Sequence, residues 1–422
     1  MRLPPFSFQD RKFTFLIGAT AILTVVSVLM FPAQTLDASA LGLHIWWSMV
    51  FPALLPFFIL CDIVIAYGIA HLLGVLIDPI MRRIFRLPGI AGWALISGAL
   101  AGSPAGVDAV IQLRRAGRID QIAGERMMLM SHFANPIFMI TIVAVAFLHR
   151  PDLAFFICIV HYTSALASAI VFRSYLLSSN HNNKEGLSQL YTPPQLNLWT
   201  RLSHALVEAR QADQRSFGQV LGEAVSSSLQ KLMMIGGTIM MFSVLIELVS
   251  VTGITNVLVR ILRWFIDGDA TLISYMNTSF SGITEVHMGI YTVTQLNQLS
   301  IIWKTAILSG MIGWGGLAVH MQVRALLHKT DIRYTPFLLA RIVHGFIAML
   351  FVFLLWQPYH SWLATAIPSY ESIEMPITRI DATLFWDIYF PWRHSYVFFF
   401  VLTFMLAAVI YSSRAKSHAK AK

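Results

Sequence analysis

The chain has 422 residues, a net charge of +9, 56% hydrophobic residues and only 12% charged ones. Soluble domains average about 25% charged residues, so a soluble globular architecture is excluded. The basic residues lie between apolar runs, where they act as topology signals; a nucleic-acid partner is therefore not expected.

Apolar runs long enough to span a bilayer as helices occur at 13–31, 45–70, 127–148, 152–172, 231–251, 305–323, 335–357 and 394–412, which predicts about eight crossings of an all-α integral membrane protein. The first run follows Arg2, Arg11 and Lys12 and exceeds the ~7–15-residue apolar core of a secretory signal. It reads as a retained helix, although Ala38-Ser39-Ala40 resembles a cleavage site. Cys61 and Cys158 fall inside apolar runs with no second ligand nearby, as small buried hydrophobes do. Two more stretches, 90–107 and 269–289, are apolar but broken by Gly, Pro, Ser, Thr and Asn. Irregular backbone at membrane depth survives only where protein or a watery cavity satisfies it, so each predicts a re-entrant helix–turn–helix hairpin.

Placing the N-terminus in the cytoplasm puts 23 Lys and Arg on the cytoplasmic side and 6 on the other. The positive-inside rule then sets both termini in the cytoplasm. The expected organisation is an N-terminal transmembrane helix (1–41), a first repeat (42–176), a cytoplasmic polar linker (177–228) and a second repeat (229–357). An external loop, a last transmembrane helix and a basic cytoplasmic tail follow (358–422).

The repeat is read from the order of elements. A long span is followed by Gly68-Ile69 in one half and Gly253-Ile254 in the other. Basic, aromatic stretches come next (Arg82 to Arg86; Arg260 to Phe265), then a broken hairpin reaching Gly106 or Gly289, then two spans. Three crossings separate the copies, so they are expected to be inverted. Inverted repeats with paired broken segments point to a secondary transporter that binds its substrate near the midplane.

The candidate substrate-binding residues lie at these breaks. In the first hairpin, Gly102, Ser103 and Gly106 allow a tight reversal whose helix ends suit a polar or anionic group; Gly98 and Gly102, four apart, equally suit close helix packing. In the second, Asn277, Ser281, Thr284, Glu285 and His287 cluster. Glu285, an ionisable group at membrane depth, is the candidate for coupling to a proton or cation. Asn135-Pro136 interrupts the span 127–148, and Gly310, Gly313, Gly315 and Gly316, followed by His320 and Gln322, interrupt its counterpart; Asn135 and Gln322 complete the candidate set. His320, Arg324 and His328 share a face that reads as solvated rather than metal-binding. No Walker loop, zinc-peptidase signature or Ser-His-Asp spacing is present, so neither an enzyme nor a cofactor or metal is expected. The expected partners are the lipid bilayer and a small-molecule substrate, with oligomer formation left open.

The run Phe51 to Leu60, Phe85-Arg86-Leu87-Pro88-Gly89, Ser103-Pro104-Ala105-Gly106, Gly315 to Gln322 and Thr330 to Arg341 together resemble the YlbJ (SpoVV) family of sporulation integral membrane proteins, over roughly 42–345. The resemblance implies two Gate, or nucleoside-recognition, domains, with kinship to concentrative nucleoside transporters and ferrous-iron permeases. It also implies a role in moving dipicolinate toward the developing spore, with Gly102 to Gly106 and Ser281 to Gly289 lining the path. Ser103 stands where the family often has an aromatic residue, and His132 to Pro136 replace an Asn/Ser-rich run; these departures bear on the substrate, not the fold. A nucleoside or related heteroaromatic permease and a non-transporting membrane scaffold or assembly factor are the alternatives.

Overall fold

The structure is a computed structural model and describes residues 11–174, 197–262, 270–328 and 330–366. All regular structure among them is helical. The chain divides into two units, Met1–Pro358 and Tyr359–Lys422, and the hairpins and helix breaks described below lie in the first. The predicted last span at 394–412, most of the loop at 358–392 and residues 175–196 of the linker lie outside the described residues.

Helix α1 (Arg11–Met30) exposes Ile22, Leu23 and Leu29; a helix apolar on all sides is what a lipid-facing segment requires. After Phe31, α2 (Pro32–Ile45) runs through a π-type turn at Trp46–Val50 into α3 (Phe51–Ala66), forming one 35-residue rod. The rod starts at Pro32 rather than 45 and ends at Ala66 rather than 70. Pro32 is tolerated in the first turn, where no helical N–H bond is lost, so the polar 32–40 stretch is a helix entry and not a loop.

The rod leads through Gly68, which is left-handed (φ 82°), into amphipathic α4 (Ile69–Arg83). A hairpin follows, made of α5 (Ala91–Ala101) and α6 (Ala105–Arg115). Next comes a broken helix, α7 (Gln121–Ser131) followed by Phe138–Phe147, and then α8 (Ala154–Val171). Within the expected linker, α9 (Leu198–Ala212) packs along α4, where Arg201 reaches Asp78 at 2.7 Å. Residues 198–212 are thus an ordered helix rather than only a polar connection.

The same order then recurs. A 35-residue rod, α10 (Phe217–Val251), starts at a Ser216–Gln219 capping box. After it come left-handed Gly253, α11 (Ile254–Leu262), the hairpin α12 (Ala270–Thr284) and α13 (Val286–Thr294), the broken pair α14 (Ile301–Trp314) and α15 (Gly316–Leu327), and α16 (Thr335–Ala366). The two rods lie against each other. Trp46 Nε1 donates to Leu232 O at 2.9 Å, Ser243 Oγ to Ala38 O at 2.6 Å, and Lys231 Nζ sits 2.8 Å from both oxygens of Asp62.

Among the described residues, five stretches are long and apolar enough to cross a membrane: Pro32–Ala66, Pro151–Val171, Phe217–Val251, Ile301–Leu327 and Thr335–Leu363. They cover five of the eight predicted spans. The span at 13–31 holds the shorter apolar stretch Ile17–Met30, and that at 127–148 is split by its break.

Both hairpins close on a glycine pair. A Cβ on Gly106 would sit 2.8 Å from Gly98 Cα, and one on Gly289 would sit 2.7 Å from Gly282 N. The arms therefore touch backbone to backbone. Beyond the first hairpin, two bidentate pairs join the α6–α7 region to the loop after α15: Arg114 with Asp331 (2.9 and 2.7 Å) and Arg333 with the fully buried Glu125 (2.6 and 2.8 Å).

A side chain at Gly289 must push the second hairpin open. Gly289→Leu is expected to cost about 1–3 kcal/mol and lower the melting temperature in detergent. Gly18→Leu, at a position with nothing within 4 Å, should leave it unchanged; equal melting of the two variants would refute the close-packed hairpin.

Candidate functional site

Each hairpin tip rests on a break in a broken helix, and the backbone explains why. The first break runs from His132 to Asn135, where the α-helical ladder stops in buried surroundings. Its backbone groups need other partners, since an unpaired buried amide costs about 1–3 kcal/mol. Arg341 Nη1 donates to His132 O (3.0 Å), Ser103 N to Phe133 O (3.0 Å), and Ala134 N to His161 Nε2 (3.0 Å). Asn135 Oδ1 accepts from Ile137 N (2.8 Å) and Phe138 N (3.3 Å), restarting the helix as an N-cap does. Because His161 accepts at Nε2, its ring is neutral with the proton on Nδ1.

The tip of the first hairpin fits this break closely. Gly102 is left-handed (φ 75°), a conformation that strains any other residue, and a Cβ there would lie 3.0 Å from Asn135 Cβ. The Ser103–Pro104 peptide bond is cis. Gly106 stands one turn on, against Gly98.

The second tip is built differently. Glu285 is 2% exposed and caps α13: its Oε2 accepts from Met288 N at 2.7 Å, and its Oε1 lies 2.6 Å from His287 Nδ1. Thr284 Oγ1 bonds back to Phe280 O (2.9 Å), and Ser281 Oγ to Asn277 O (2.8 Å). This tip rests on the second break, where Gly315 (φ 89°) and Gly316 (φ 77°) turn the chain between α14 and α15. A Cβ on Gly316 would lie 3.1 Å from Thr284 O and 3.2 Å from Glu285 Cα. Trp314 spans the join, with Nε1 donating to Ile283 O (3.0 Å) and its carbonyl 3.1 Å from His320 Nε2.

The two breaks also meet each other. His132 Nε2 lies 3.9 Å from where a Cβ on Gly315 would stand, and the Phe138 and His287 rings make an edge contact at 4.8 Å. Gly102, Ser103, Asn135, Thr284, Glu285 and His287 thus gather at the tips and breaks. Ser281 and Gly106 stand a turn away on the hairpin arms. Asn277 lies further back in α12, and Gln322 lies beyond the second break on α15; among the described residues, no hydrogen bond ties either side chain to the tips.

Sequence reasoning missed three residues that hold the first break: His132, His161 and Arg341. Arg341 is the one Lys or Arg in the interior of a predicted span, Lys231 lying at the first residue of another, and by the cost of intramembrane charge that is the signal to follow. His320, expected on a solvated face, is instead 2% exposed and bonded to Tyr334 Oη at 2.7 Å. Among the described residues no three His, Cys, Asp or Glu side chains are grouped to hold a metal ion. A separate cavity of about 180 Å³ opens between α4 and α9, lined in part by His71, Asp78, Trp93, Arg201 and Glu208.

With this geometry in view, the comparisons with known proteins are specific. The chain is 37% identical to the sporulation integral membrane protein YlbJ of Bacillus subtilis (strain 168), over 83% of this chain and 84% of that one. The chain belongs to the YlbJ family of sporulation integral membrane proteins. The Gate family, described as nucleoside recognition, matches residues 47–176, which run from the π-type turn in the middle of the first rod through α8 and include the first hairpin and break. No solved structure matches. The resemblance read from the sequence motifs is therefore correct, and the protein is an integral membrane protein with a Gate domain, as a multi-pass, permease-like protein would be.

The His161 contact gives a direct test of how the break is held. His161→Phe leaves the Ala134 N–H buried without a partner, an expected loss of about 1–3 kcal/mol read as a lower melting temperature. His161→Gln restores an acceptor and should recover part of that loss; identical melting of the two would show that the break is satisfied otherwise.

Proposed function

We propose that this protein is a secondary transporter that moves a small polar or anionic metabolite by alternating access, with the substrate held between the two hairpin tips and the two helix breaks. The observation that carries this reading is that both tips sit on glycine- or Asn-Pro-marked breaks and the breaks abut, at His132 and Gly315. Irregular backbone that must be satisfied by protein or cavity is where transporters bind their cargo.

In this reading the seven helices from the first rod to α8, counting Phe138–Phe147 beside α7, and the seven from α10 to α16 are two Gate-like repeats, 42–176 and 229–357, of opposite orientation. The hairpins are re-entrant, 1–41 carries the first membrane helix, and 177–228 links the repeats in the cytoplasm, where both termini also lie. Residues 358–422 add an external loop and a last span. Opening on one side lifts one hairpin off its break and exposes Ser103 and Asn135, or Thr284 and Glu285. The Glu285–His287 pair, joined at 2.6 Å, takes up the coupling proton or cation; a carboxylate beside an imidazole exchanges a proton with little rearrangement. Dipicolinate is the first substrate to test, given a sporulation relative. The nucleoside-recognition description of the matching Gate family favours a second reading, a nucleoside or related heteroaromatic permease.

Thermal stabilisation of the purified protein separates these substrates, because a ligand that binds only the folded state raises the melting temperature. At about 100 times its dissociation constant, the true ligand contributes roughly 2.7 kcal/mol. Selective stabilisation by dipicolinate supports the first reading and by nucleosides the second. Glu285→Gln is expected to abolish coupled uptake into vesicles while the protein still folds in the membrane; unchanged uptake removes Glu285 from the coupling step. Single cysteines at Ser103 and Thr284 should react with water-soluble thiol reagents in a transporter. Inaccessibility of both would favour a packed, non-transporting scaffold.

A further inference from the structure

Arg341 is 1% exposed on α16, and only its Nη1 has a hydrogen-bond partner, the carbonyl of His132 at the first break. Its Nε and Nη2 are buried with no partner among the described residues. A guanidinium cannot shed its charge by deprotonation as a lysine can, and a charge buried at membrane depth is expensive unless it is paired. Holding one carbonyl needs one neutral donor, not a cation with three further N–H groups in Nε and Nη2.

The geometry of the free atoms is specific. Nε and Nη2 lie on one side of the planar guanidinium and form a fork that matches the two oxygens of a carboxylate. Among the described residues the same edge holds a carboxylate on four other arginines: Arg114 on Asp331 (2.9 and 2.7 Å), Arg150 on Asp152 (2.8 and 2.6 Å), Arg215 on Asp213 (2.7 and 2.5 Å) and Arg333 on Glu125 (2.6 and 2.8 Å). On Arg341 the edge carries no carboxylate among the described residues. At the break and tip that Arg341 joins through His132 O, Ser103 Oγ, Ser131 Oγ and His132 Nδ1 are also buried without partners, and the guanidinium itself has the face of the Phe337 ring at 5.7 Å but no carboxylate among the described residues.

We propose that the Nε–Nη2 edge of Arg341 anchors a carboxylate of the transported ligand, so that the protein selects small organic anions over neutral molecules of the same shape. The proposal rests on the transporter reading and adds to it the residue that tells an anionic ligand from a neutral one. Arg341 also clamps His132 O, so a carboxylate on its free edge changes the charge beside the break that the first hairpin tip covers. Binding and hairpin movement are thereby linked through one side chain.

The test compares pyridine-2,6-dicarboxylate and benzene-1,3-dicarboxylate with the neutral pyridine-2,6-dicarboxamide, by thermal shift and calorimetry on the full chain in detergent. The wild type should bind the dicarboxylates in preference to the diamide. Arg341→Gln should weaken dicarboxylate binding by at least about tenfold, the scale of one lost charge-assisted pair, and leave diamide binding nearly unchanged. Arg341→Lys keeps the charge without the fork and should fall between the two; it decides the matter if the Gln variant does not fold. Wild-type dicarboxylate affinity in either variant overturns the anchor and leaves the transporter reading intact. A wild type that binds the diamide or nucleosides but no dicarboxylate overturns both the anchor and the anion selectivity and leaves the transporter reading intact. A wild type that binds none of these compounds overturns the anchor and counts against the transporter reading as well.

Discussion

Every feature of the site follows from the need to pair backbone N–H and C=O groups where a helix stops inside an apolar protein. A continuous helix satisfies itself; a broken one hands several polar groups to its surroundings. At the first break those groups go to His161 from α8, Arg341 from α16, Asn135 from the chain itself and Ser103 from the hairpin tip. The hairpin thus occupies one particular place. It is held there by the hydrogen bond the break requires, and the glycines let it come near enough to make it.

The second break solves the same problem with other chemistry. Two left-handed glycines turn the chain, Trp314 and His320 cover the exposed groups, and a carboxylate caps the next helix. The two halves share an order of elements but not a set of side chains. One break carries a buried cation nearby and the other a buried carboxylate. In the transporter proposed above, two faces alike in backbone and opposite in charge would treat a substrate and a coupling ion differently.

The polar chemistry outside the breaks is structural. Bidentate arginine–carboxylate pairs staple the α6–α7 region to the loop after α15, and Lys231–Asp62 joins the two rods. These pairs are complete, with donors and acceptors matched. Buried polar atoms without a partner among the described residues occur at Arg341, Ser103 and His132 and also elsewhere, at Arg126 Nε, Ser228 Oγ and Ser309 Oγ among others; Arg341 differs in that both atoms of one carboxylate-binding edge are free together.

Much of this was legible in the sequence. Hydropathy alone located five of the eight predicted spans, because apolar length is a one-dimensional property, and the positions of Gly, Pro and Asn located the breaks, because those residues act on their own backbone. Glu285 stood out for the same local reason: a carboxylate in an apolar run is costly wherever the chain folds. The extension of the first rod back to Pro32 and the helix within the linker were hidden, since polar residues on a helix entry look like those of a loop. The partners of the breaks were hidden more deeply. Ala134 and His161 are 27 residues apart, and His132 and Arg341 are 209 apart, about half the chain. Only tertiary packing decided that an arginine far along the sequence serves a carbonyl at the first break, and that its remaining fork is left without a carboxylate.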